Sequence, residues 1–109
     1  TVHAKTSSVL VSAVVAGSTN DDHAQNPVFT LHRRLGGKDA TCSDTQVGIE
    51  FVGTSLAVKD SSWGASATFV DRGAFTEDTS VAYTVCTSKK GADDGTLESV
   101  AVSLTEIVK

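Results

Sequence analysis

From Thr6 to Asn20 the chain carries no charged residue and no proline. Its apolar residues there fall at both parities of an extended backbone, Val9, Val11, Ala13 and Val15 on one and Leu10, Val14 and Ala16 on the other. Side chains of a strand alternate between its two faces, so a segment of this kind asks for cover on both. It also lacks the Lys, Glu or Pro that blunts an exposed sheet edge. Two arrangements meet these demands. One is a central strand with a layer of its own domain on each side. The other is a strand that contacts a neighbouring subunit by edge addition or strand exchange, with Val9, Leu10, Val11, Val14 and Val15 as the contact residues. Lys5 followed by an apolar run also has the outline of a targeting segment, but the run is short and Ser12 interrupts it, so the reading is a long strand.

The same period of two recurs along the chain. Val47, Ile49 and Phe51 alternate, as do Val81, Tyr83 and Val85, while Phe29–Leu31, Leu56–Val58 and Ala67–Val70 supply three shorter stretches. Segments rich in Gly, Ser, Asn and Asp separate them, at 17–26, 36–44, 60–64, 71–78 and 88–96. Fifteen Val and fourteen Thr against six Leu give the chain a β bias, because branching at Cβ restricts χ1 in a helix and suits a pleated surface. The segment 97–108 reads two ways. Val100, Val102 and Leu104 alternate like a strand, whereas Leu97, Val100, Ala101, Leu104, Ile107 and Val108 share a helical face; the strand is preferred and a short C-terminal helix is the alternative. The expected fold is all-β, an antiparallel β-sandwich or jelly-roll of about seven strands. Residues 1–109 form one domain, with 1–16 as its long N-terminal strand.

Cys42 and Cys86 are the two cysteines. Paired, they close a loop worth roughly 4 kcal/mol on the chain-entropy model, which favours an oxidising compartment; unpaired, they are two buried thiols. With Trp63 between them and Tyr83 near the second, they follow the order of the immunoglobulin core. The spacing departs from it, because Tyr83 stands three residues before Cys86 where that core places it two before. An odd spacing turns Tyr83 and Cys86 to opposite faces of one strand. The sequence therefore supports a sandwich and no family.

Thirteen acidic against nine basic residues leave a net charge of −4, the wrong sign for a protein that gains affinity by neutralising phosphates, so nucleic acid is not an expected partner. No apolar stretch is long enough for a membrane-spanning helix. His3, His23 and His32 have no metal-ligand spacing; Asp21, Asp22 and His23 share a polar loop, and Asp93, Asp94 and Gly95 read as a turn. Neither a nucleophile elbow nor a phosphate loop occurs, and Glu77 and Asp78, being adjacent, point apart if extended. No enzyme activity, cofactor or metal is expected.

Two features remain as candidate contacts for a ligand or partner. Arg33 and Arg34, between His32 and Lys38, are the densest basic cluster, able to grip an anion or to sit solvated at a strand end. Trp63 is either a stacking platform or an interior plug. The expectation is a non-enzymatic structural subunit acting through protein–protein contacts, a homo-oligomer or larger assembly at a virion or cell surface, as a coat, decoration or filament protein. The alternative is a secreted monomeric binding domain for adhesion, glycan recognition or a small effector role, using Trp63 and the loops around it.

Overall fold

The computed structural model describes residue 2 and residues 7–19, 27–53, 62–73, 75, 78–88 and 95–108. These form six strands: β1 (Ser8–Thr19), β2 (Val28–Leu35), β3 (Thr45–Val52), β4 (Ser62–Asp71), β5 (Val81–Ser88) and β6 (Gly95–Ile107). They pair into two antiparallel sheets of three, ordered β4-β1-β6 and β3-β2-β5, and pack as a β-sandwich. The described strands number six rather than about seven. Six of the seven expected segments are strands, and Leu56–Val58, the other, lies outside the described residues. A jelly-roll has eight strands, so the described residues support the sandwich alone. No helix occurs among them, and the segment expected to be strand or helix is the strand β6. Its ladder with β1 runs from Ser8 opposite Ile107 to Thr19 opposite Gly95, and those backbone bonds, added to the β-branched Val100 and Val102, outweigh the competing helical face.

β1 is the middle of its sheet, hydrogen-bonded to β4 on one edge and to β6 on the other. Its odd-numbered residues, Val9, Val11, Ala13 and Val15, point inward and are buried. They meet Phe29, Leu31, Val47 and Phe51 of the second sheet, with Trp63 and Ala65 of β4 beside them. Val2 joins this core and its N–H donates to the Thr79 carbonyl at 2.7 Å, a bridge just ahead of β5.

The sandwich is tight on one side and open on the other. On the β3–β4 side, Gly48 has φ +70° and a Cβ there would lie on the Phe69 ring, so both backbone and space demand glycine. On the β5–β6 side the inner-face residues are incompletely covered. Val81, Tyr83 and Val85 are half-buried, while Val100 and Leu104, in register with the buried Val15 and Val11, remain 47% and 49% exposed.

Candidate functional site

Register places residues opposite one another on the same face, so the even-numbered residues of β1 define the outer face of sheet β4-β1-β6. Four rows cross it: Val70, Leu10 and Thr105; Thr68, Ser12 and Ser103; Ser66, Val14 and Ala101; Gly64, Ala16 and Ser99. None of these side chains is charged. Val14 is 52% and Val70 42% exposed, and the Ser12 and Thr68 hydroxyls lie 3.2 Å apart. The solvated face of an antiparallel sheet is polar, and this one, among the described residues, mixes apolar side chains with hydroxyls and carries no charge over four rows.

The five residues nominated for subunit contact divide by parity. Val9, Val11 and Val15 lie between the sheets, and Leu10 and Val14 lie on the outer face. Since β4 and β6 occupy both edges of β1, the half of this strand that stays available is its even-numbered face.

Arg33 and Arg34, adjacent on β2, point to opposite sides of their sheet. Arg33 turns inward, where its guanidinium donates to Asp71 Oδ1 at 2.5 Å and stands 5.6 Å from the centre of the Phe75 ring. Asp71, only 5% exposed, also accepts from the Gly73 N–H at 3.0 Å and from the Tyr83 hydroxyl at 2.8 Å. Burial first, and then the hydrogen bond and charge of Asp71, push the Tyr83 hydroxyl far above its ordinary value, keeping it a neutral donor. A Cβ at Gly73 would collide with the Arg33 guanidinium, which makes glycine part of the cluster. The cluster joins β2 and β5 of one sheet to the end of β4 in the other. Sequence reading singled out Tyr83 beside Cys86 but did not bring it together with Asp71 and Arg33; the sign of Arg33 is a signal for an acid, but not for which of thirteen.

Cys42 and Cys86 form a disulfide with Cα atoms 5.9 Å apart. Cys86 pairs with Thr30 and Tyr83 with Arg33, so the odd spacing does place Tyr83 and Cys86 on opposite faces of β5. The bond ties the β2–β3 connection across the outer face of its own sheet. His32 sits under that connection, buried. Its Nδ1 lies 2.9 Å from the Asp44 carbonyl, which can only accept, so Nδ1 carries a proton and donates to it, while Nε2 lies 2.7 Å from the Thr30 hydroxyl. Asp44 closes the turn, its carboxylate accepting from the Thr41 N–H at 2.7 Å and the Thr41 hydroxyl at 3.0 Å. Chiefly the N–H bond holds the Asp44 carboxyl below the usual carboxylate range. His32 is thus an internal strut.

Trp63 is the interior plug, 6% exposed, with its ring 5.6 Å from that of Phe29, and its Nε1 has no hydrogen-bond partner among the described residues. Arg34 is half-buried. His3, His23, Asp21, Asp22, Glu77, Asp93 and Asp94 lie outside the described residues. Among those described, no three His, Cys, Asp or Glu side chains gather as metal ligands, and no helix is long and apolar enough to cross a membrane. Comparison with protein-family models, with curated proteins and with solved structures found no match to this chain.

Proposed function

We propose that this protein is a structural subunit that works by contact with other copies of itself, as a coat, decoration or filament protein of a viral or cell-surface assembly. The uncharged outer face of sheet β4-β1-β6 carries the reading. From strand spacing it measures about 14 Å by 24 Å, or roughly 350 Å². A patch of that size matches the largest patch on an ordinary monomer, which is often functional, yet it is less than half of the ~800 Å² that each partner contributes to a stable pair. Contact through it alone is weak, as suits a subunit that meets several neighbours. The disulfide fits an oxidising, extracellular setting.

The test is native mass by light scattering over a range of concentrations, for the parent protein and for Val14→Lys. Val14 is exposed, so a lysine there reaches water in the monomer and leaves the fold intact. The expected result is an assembly that grows with concentration in the parent and no longer grows in the folded variant. A parent protein that stays monomeric throughout would overturn the reading. Val11→Lys is no substitute, because Val11 lies fully inside and its replacement would break the fold itself.

A further inference from the structure

We propose that β6, the outer strand of its sheet among the described residues, pairs with β6 of a second copy, antiparallel across a two-fold axis perpendicular to the sheet and passing at Ser103. This rests on the reading of the protein as a self-assembling subunit, and it names the contact that comes first.

Three observations carry it. The first is the state of the edge. Among the described residues β6 is bonded to β1 alone, and Gly95–Ile107 contains no Lys, Arg or Pro to discourage a further strand. The β3–β4 side, by contrast, is closed over Phe69, and the β2–β3 ladder there is broken by a register shift between Phe29 and Leu31. Beside the β6 edge, Val100 and Leu104 face inward yet stay about half exposed, because the second sheet of the same copy does not reach them.

The second observation is register. The β1–β6 ladder shifts between Ala16 and Gly17, where Ser99 and then Leu97 stand opposite, so Glu98 is the bulged residue and the regular run is Ser99–Ile107. Ser103 is the midpoint of that run. A two-fold there sets Ser103 opposite itself, Ala101 opposite Thr105, Val102 opposite Leu104 and Ser99 opposite Ile107 of the second copy, and no two charges meet. Moving the axis by one residue to Val102 brings Glu98 against Glu106, a repulsive pair, and draws the bulge into the ladder. The intermediate register is excluded because opposed residues must share a face.

The third is area. The regular run of β6 is about 31 Å long and the eight residues of β5 below it about 27 Å, each in a layer about 10 Å deep. Closing the open side against its copy therefore covers roughly 600 Å² on each molecule, or about 1,200 Å² in total, which reaches the lower bound of specific stable interfaces. The paired sheets become one of six strands, β4-β1-β6-β6-β1-β4, and the uncharged outer face doubles to roughly 700 Å², close to what a standard interface requires.

The experiment compares Ser103→Cys with Ala101→Cys under mild oxidation, read as dimer on non-reducing gels, and measures the sedimentation of Leu104→Lys beside Val14→Lys. Opposed Cα atoms in an antiparallel pair lie within disulfide range. Cross-linking at 103 and not at 101, together with a loss of the dimer in Leu104→Lys that keeps its β circular dichroism, is the expected result. Cross-linking at 101 in place of 103 would overturn the register. Assembly by Leu104→Lys equal to that of the parent, with Val14→Lys still monomeric, would overturn the edge and leave the face reading standing. Monomers in every case would overturn both.

Discussion

Tyr83 shows how a single hydroxyl can set a limit on stability. It donates to an acid that is already committed to Arg33 and the Gly73 N–H, so its ionisation would leave two negative oxygens 2.8 Å apart in the interior. Its pKa is raised in the folded state relative to about 10 in the unfolded chain. For a group raised in this way the stabilising contribution is complete below the unfolded pKa and is lost as pH climbs past it. Unfolding free energy should therefore hold up to about pH 10 and then decline, and Tyr83→Phe should flatten that decline; denaturant titrations at stepped pH check it. Asp44 works in the opposite direction, stabilising above the usual carboxylate range and losing its contribution as acid protonates it. Little of this was visible in the sequence. Arg33 could be seen as part of a basic cluster, but the acid it meets is 38 residues further on and in the other sheet, and nothing local to either residue encodes the pairing.

At the scale of elements the sequence was far more legible, because a strand with one buried face writes its period directly into the chain. The alternation of β1 is that of the structure, and parity alone separates the buried Val11 from the exposed Val14; in β3 it fails at Ile49, which is 74% exposed between the buried Val47 and Phe51, where the β2–β3 ladder shifts register. Where it was ambiguous, at 97–108, periodicity could not choose, since strand and helix each offered an apolar side; the neighbouring β1, with one edge to satisfy, did. The disulfide is also an element-scale device. Both cysteines belong to sheet β3-β2-β5 and its β2–β3 connection, so the bond braces that connection over His32 and does not cross between sheets. Replacing both, Cys42→Ala with Cys86→Ala, should cost about 4 kcal/mol through the released loop entropy. The check is the unfolding free energy of the variant against that of the oxidised parent. An oxidised parent whose stability is unchanged by reductant would contradict it.

For the whole molecule the question is what joins two sheets that no covalent cross-link connects among the described residues. Most of the answer is apolar, the Phe29, Phe51 and Trp63 rings against the inner face of β1. The polar part is Asp71, which takes Arg33 and Tyr83 from the opposite sheet. Asp71→Ala removes one partner from a buried pair and strands the guanidinium, so it should destabilise the protein by about 3–5 kcal/mol, with denaturant unfolding as the measure. A loss below 1 kcal/mol would mean that the sheets are held by packing alone. Sequence reading reached the sandwich because composition and turn spacing limit the choices; it could not reach the strand order, which decides that β1 is central and β6 is the edge.

Ser8 and Ile107 stand opposite one another at the same end of the β1–β6 ladder. Tension applied at those two positions would peel the strands apart one hydrogen bond after another, where the same pull on opposite ends would have to shear the whole ladder at once. A fibre or shell made of such subunits would give way early if load ran along its backbones. Strength in a material of this kind has to come from the sideways seams between copies.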